Sequence, residues 1–310
     1  MLSSFEFVPE QTVAANVARL ARGRMTEALQ TLAGHPDEDA PAAAAVHDAR
    51  RGLKRLRALL RLARAGLGEE TFRRENVAAR DAARELSTVR DAQVLAAAFE
   101  ALHPALAGHV APGTPAAVDR WLRGRVDAAV GTLRAENRLP RAVALLTAAR
   151  ERLDTWPWQG AEDGWSVPGA GLKKTYRAAR RALRHAARDG AEGEFHEWRK
   201  QVKHLGAQVE SLRPLCPEAA DKTSQRLGKL ADDLGDEHDL AVLADTLAEF
   251  RDDALPPADL AAVATAIAER RAALRKKALR RGRRLFDDRP GEFARRWRKR
   301  WREWRAASKD

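Results

Sequence analysis

This chain has one cysteine, one tyrosine and few aromatic residues of any kind among its 310 positions. The single Cys216, set between Pro214 and Pro217, excludes an intramolecular disulfide framework and any cysteine-based zinc site. No apolar run approaches the roughly 20 residues that a membrane-spanning helix needs, and the N-terminus lacks the charged-then-apolar order of a secretory signal. Those absences lead to the expectation of a cytoplasmic protein with no transmembrane segment. Strand formers are sparse beside Ala, Leu and Arg, which is the composition of a helical fold. Chemical signatures are missing as well. The histidines form no H-x-x-x-H pair with a carboxylate at ligand spacing, and residues 232–239 (DDLGDEHD) do not place glycine where an EF-hand loop needs it. No glycine-rich phosphate loop, no nucleophile beside a base and no paired catalytic carboxylates stand out. The expectation is a binding protein with no catalytic residues, no metal site and no cofactor.

What is present is positive charge, and its placement matters more than its total of +12. Residues 270–305 hold 17 Lys and Arg against 4 Asp and Glu, so the remainder of the chain is close to neutral. Within that remainder the cations concentrate on helix faces. In residues 46–64, Val46, Ala49, Leu53, Leu56, Leu60 and Ala63 recur at helical spacing, while His47, Arg50, Lys54, Arg57 and Arg61 fall on a neighbouring face flanked by Arg51. Seven Lys and Arg in this stretch are answered only by Asp48. Such a helix packs on one side and presents an anion-binding surface on the other.

The pattern returns 149 positions later, where His196, Arg199, Lys200 and Lys203 match His47, Arg50, Arg51 and Lys54. Residues 86–95 (LSTVRDAQVL) match 234–243 (LGDEHDLAVL), with Asp91 opposite Asp239 and Arg90 opposite His238. Pro140 and Pro290 open further matching helices. Offsets this close mean an internal duplication. The expected organisation is a first helical half at residues 1–155, a linker at 156–171 rich in Gly, Pro and Trp, and a second half at 172–310. Helices are expected from Glu10 to Leu32, from Val46 to a stop at Gly66 and Gly68, and in one long run from Glu69 to Leu102. Two more follow, from Pro115 to Glu136 and from Pro140 to Leu153. The second half repeats them as 172–188, 194–212, 217–250, 256–286 and 291–307. In the first of these, Arg177, Arg180 and Arg184 belong to another unbalanced basic face. Gly34 and Pro36 are expected to end the first helix, and residues 1–8 to form a short arm.

Taken together, H-x-x-R-[RK]-x-[LV]-K-[RH]-L at His47 and His196, E-N-x-x-x-R-D from Glu75 to Asp81 and the two L-x-x-x-[RH]-D-x-x-V-L blocks resemble the CHAD family, the α-helical domain named for a characteristic histidine. The resemblance implies an all-α fold of two four-helix bundles related by a pseudo-twofold axis, each with an extra shorter helix. It also implies that basic residues of both halves line a groove or pore that binds inorganic polyphosphate without catalysis, with association to polyphosphate granules. Members are often fused to a CYTH triphosphatase, whose E-x-E-x-K signature does not precede the first helix here. The residues expected to bind are His47, Arg50, Arg51, Lys54, Arg57, Arg61, Arg177, Arg180, Arg184, His196, Arg199, Lys200 and Lys203. Asp91 and Asp239 are expected inside each bundle, orienting these cations. Polyphosphate carries about one charge per phosphate and no bases, so dense Arg forks and Lys point charges suit it. Two other readings stay open. The Arg- and Trp-rich end (Trp297, Trp301, Trp304 beside Phe293) suits docking on the bundle but also nucleic-acid or membrane binding, and an accessory role in phosphate metabolism with weak enzymatic activity is the third.

Overall fold

The computed structural model describes residues 5–33, 43–159, 164–252 and 254–308. Among them every regular element is helical: α1 (Val13–Ala33), α2 (Ala43–Glu85), α3 (Ser87–Glu100), α4 (His103–Leu106), α5 (Gly113–Ala135), α6 (Arg138–Glu151), α7 (Ser166–Asp189), α8 (Glu192–Ser211), α9 (Pro217–Leu247), α10 (Pro257–Leu285) and α11 (Pro290–Ala307). The expected ending of α1 at Gly34 and Pro36, the start of the N-terminal arm and the centre of the linker lie outside the described residues.

Three boundaries depart from the expectation, each for a local reason. Residues 69–102 do not form one helix, because a turn at Leu86 separates α2 from α3. The stop at Gly66 and Gly68 is a kink within α2, located at Gly68 (φ 74°, ψ 163°), a conformation that glycine adopts without a Cβ penalty. The supposed linker is short. Its second part is already helix, since α7 begins at Ser166 and carries Pro168 in its first turn, where a missing N–H costs nothing. Its first part packs down: Gln159 N donates to Gly66 O at 2.7 Å, and a Cβ on Gly66 would meet the Trp158 ring at 2.6 Å.

The order of packing runs the same way twice. α1 packs on α2 as α7 packs on α8, α3 on α5 as α9 on α10, and α1 on α6 as α7 on α11. The cores nevertheless do not divide at the sequence midpoint. The larger cluster joins Val17, Leu20, Met25, Leu53, Leu56 and Leu60 to Tyr176, Phe195, Trp198, Val202 and Trp297. A second joins Phe99, Val118 and Leu122 to Leu243, Val263 and Ile267. Residues of both halves fill each cluster, so truncating a leucine such as Leu56, fully buried, should cost about 3 kcal/mol.

The helices of the two halves approach closely at Gly171. A Cβ there would sit 2.2 Å from Leu62 O, which only glycine permits. Gln208 Nε2 donates to Ala58 O (3.1 Å) in the buried seam between α8 and α2, and Arg55 pairs with Glu210 at 3.0 Å. α2 and α8 are thereby held side by side, with their basic faces adjacent.

Candidate anion-binding site

On α2, Arg50 is the most committed cation. Its guanidinium donates to Ser87 O (2.8 Å) and Leu86 O (3.4 Å), carbonyls at the α2–α3 turn, and to Asp91 Oδ1 at 3.2 Å. Its counterpart Arg199 lies over Gly235 of α9 and reaches Asp239 at 3.7 Å. Both aspartates therefore orient an arginine, as their position in the repeat predicts. They are not buried inside the bundles, however: Asp91 is 61% exposed and Asp239 26%, so each shares the rim with its arginine.

One turn further along each helix stand Lys54 and Lys203, which form no ion pair among the described residues. Both ammonium groups reach solvent while protein surrounds them on most sides. Burial, then the neighbouring arginines, pushes each down to about 8. The charges acting on them cross the sequence midpoint. Lys54 is disfavoured by Arg50 and by Arg199 of the second half, and Lys203 by Arg199 and by Lys54. Asp239 likewise feels Arg199 and Lys203 from its own half and Arg90 and Lys54 from the other, although burial still raises its pKa. The two faces form one field of converging cations.

Arg57 and Arg61 extend that field. Asn76 Oδ1 accepts from Arg57 Nε (3.2 Å) and from Arg61 Nη1 (2.8 Å), which fixes two guanidiniums side by side against their mutual repulsion. Opposite them, burial and the charges of Arg61, Arg57 and Lys200 hold His204 down at about 3. Arg51 and Lys200 are exposed and pair loosely with Asp48 and Glu197 one turn back, both at 3.4 Å.

The two named histidines differ in their neighbours. His47 is exposed and lines a shallow hollow of about 230 Å³ with Arg90 and Gln93; burial and the Arg90 charge lower its pKa. His196 Nδ1 lies 3.2 Å from His238 Nδ1, with ring centroids 4.2 Å apart. Burial first, then like charge, holds both at about 4, so that one neutral ring can donate to the other.

The α7 residues go elsewhere. Arg180 Nε donates to Phe286 O (2.9 Å) at the end of α10, and Arg177 faces the start of α11. Arg184 is exposed and forms no ion pair among the described residues. The structure thus gathers His47, Arg50, Lys54, Arg57, Arg61, His196, Arg199 and Lys203 in one region, and sets Arg177 and Arg180 beside another.

Sequence reading missed Asn76, His204 and His238 as members of the site. It also missed the buried carboxylates that hold the helices under it. Glu75, fully buried, accepts from Arg152 at 3.0 and 2.9 Å, and Glu237, 1% exposed, is gripped by Arg271 and Arg275. The E-N-x-x-x-R-D motif was the available signal for the first pair. His185, Asp189 and Glu194 bring donor atoms within 4.8 Å of one another, but Arg188 already holds both Asp189 oxygens, at 2.6 and 2.7 Å.

At the C-terminus Trp297 and Trp301 are 1% and 5% exposed, and Trp301 packs against Trp165 and Phe7. The tryptophan face docks on the bundle, as its i, i+4 spacing predicts, leaving Arg295, Arg298 and Arg302 outward. No helix among the described residues is long and apolar enough to cross a membrane.

No curated protein matches the sequence. The solved structure of PptA from Streptomyces chartreusis has a similar fold, with a TM-score of 0.66 at 18% identity, covering 90% of this chain and all of that one. The CHAD domain family matches residues 23–248, a stretch that includes the basic faces of α2 and α8 and ends before α10 and α11. With nearly three quarters of its length so matched, this chain belongs to the CHAD domain family.

Proposed function

We propose that this protein binds inorganic polyphosphate non-catalytically, in a groove shared by the basic faces of α2 and α8, and that such binding carries it to polyphosphate granules. The observation that carries the reading is the convergence of Lys54 and Lys203: two lysines from different halves, both beside Arg199, and neither in an ion pair among the described residues. Placing like charges together is unfavourable unless an anion relieves it, and an extended polyanion relieves both at once. The fixed guanidiniums of Arg57 and Arg61 add forked donors beside them. A pseudo-twofold axis between the halves would account for the matched Arg50–Asp91 and Arg199–Asp239 pairs. Nucleic acid is the less favoured partner, because Trp297 and Trp301, which would suit base stacking, are turned into the core.

A competition titration tests the proposal. Fluorescently labelled long-chain polyphosphate should be displaced by unlabelled polyphosphate but not by single-stranded or duplex nucleic acid at equal phosphate concentration and physiological salt. Displacement by nucleic acid at equal concentration would overturn it. Incubation with divalent metal should release no phosphate, and sustained release would make the protein an enzyme.

A further inference from the structure

Away from the α2–α8 faces, α7 and the first turn of α11 enclose a shallow hollow of about 350 Å³ lined by Lys173, Arg177, Arg289, Gly291, Glu292 and Arg295. We propose that this hollow is a second anion site, taking a short run of linked phosphate groups.

The charge balance there is one-sided. Lys173, Arg177, Arg289 and Arg295 form no ion pair among the described residues, and the nearby acids are already engaged. Glu292 accepts from the Arg289 backbone N–H at 3.0 Å, and Asp288 is held by both Nη atoms of Arg296. The helix end itself contributes little, because the N–H groups of Glu292 and Phe293 are satisfied by Arg289 O at 2.9 and 3.1 Å. The side chains make the site. Four cations and one acid leave a surplus that a single orthophosphate would not neutralise and an oligophosphate would.

The walls are rigid where a binding site needs them to be. Tyr176, next to Arg177, stacks on Phe293 with ring centroids 4.2 Å apart and lies 5.3 Å from Phe286. Its hydroxyl is within reach of Leu285 O and Asp288 O, at 3.4 and 3.3 Å. The single tyrosine of the chain thereby ties α7 to the α10–α11 turn, so the helices that carry the cations are held together before any ligand arrives. The corresponding corner of the first half is different. At the start of α6, matched to α11 through Pro140 and Pro290, Leu139 and Leu145 stand where α11 has Arg289 and Arg295. The duplication therefore does not by itself produce the hollow, and Arg289 and Arg295 lie beyond the family-matched residues.

The same chemistry is offered by inorganic tripolyphosphate, by a nucleoside triphosphate tail and by the end of a long phosphate chain. Isothermal titration of the full-length protein with tripolyphosphate separates them. Wild type should show two classes of site, and R289Q/R295Q should lose one, weakening it by roughly tenfold or more, with unchanged helicity. A K54Q/K203Q protein should keep the event that R289Q/R295Q removes. ATP in place of tripolyphosphate then assigns the source: an R289Q/R295Q-sensitive event with ATP means a nucleotide tail is accepted, and its absence restricts the site to inorganic chains. If R289Q/R295Q binds tripolyphosphate with wild-type stoichiometry and affinity, the hollow is not a site, whatever the fate of the α2–α8 groove. Loss of long-chain binding in K54Q/K203Q alone bears on the groove and leaves this site standing.

Discussion

Arg50 and Arg199 occupy matching places on α2 and α8, yet the backbone opposite them differs. In the first half the chain breaks at Leu86, freeing carbonyls that Arg50 collects together with Asp91. In the second half α9 runs unbroken past the matching position, where Gly235 makes room for Arg199, and the guanidinium reaches only Asp239; the buried Nε has no hydrogen-bond partner in either arginine. The next position of the constellation differs too. His47 faces Arg90, a permanent cation, whereas His196 faces His238, which is neutral at pH 7. The matched positions share the location of the charge but not how firmly it is anchored, nor whether it is permanent. At this one position the first half carries a permanent charge, and the second carries a histidine pair that gains charge only well below pH 7.

The comparison presupposes that the halves stay clasped, so the largest expected effect comes from unclasping them. Gly171→Ala drives a Cβ into the Leu62 backbone and should cost about 3 kcal/mol, read as a drop in the thermal midpoint, with polyphosphate affinity falling alongside. A variant as stable as wild type would show that the α2–α7 crossing is loose. Next in size is the contrast between the two arginines. Arg50→Ala abandons two carbonyls and a carboxylate and should destabilise by about 2 kcal/mol, whereas Arg199→Ala, with a single longer contact, should cost about 1 kcal/mol in urea denaturation. Equal losses would remove the distinction drawn between the halves. A smaller effect sharpens the third difference. Arg90→His makes the first half resemble the second, and should weaken polyphosphate binding about threefold at pH 8 while leaving it unchanged near pH 5, where a bound polyanion protonates the ring. A loss that does not vary with pH would contradict this.

Much of this was legible in the sequence, because helical periodicity and an in-register repeat survive without any tertiary information. The faces of α2 and α8, the arginine–aspartate pairs and the docking of the Trp297 face all follow from spacing. The rest depended on contacts between distant segments. Only Ser87 and Thr88 mark the break at Leu86 locally, a weak signal, and the turn is stabilised by Arg50, 36 positions earlier. Asn76 looks like any helical asparagine until Arg57 and Arg61 reach it across the kink at Gly68. The basic face of α7 reads like those of α2 and α8, but the α10–α11 turn captures Arg180 and sets Arg177 beside a different hollow. Periodicity tells which residues share a face and is silent on what that face meets.

The pairing of Lys54 with Lys203 carries the central claim, and a titration against pH tests it most directly. Each lysine sits at about 8 in the free protein because burial and like charge disfavour its proton, and a bound polyanion reverses that preference. Binding should therefore take up protons, and affinity for long-chain polyphosphate should be greatest below pH 8 and decline as pH rises through it. Calorimetry in buffers of different ionisation enthalpy reads the uptake. K54Q/K203Q, with helicity confirmed by circular dichroism, should bind roughly a hundredfold more weakly at pH 7 and lose the decline above pH 8. A folded K54Q/K203Q protein that binds as wild type does, with the same dependence on pH, would contradict the account.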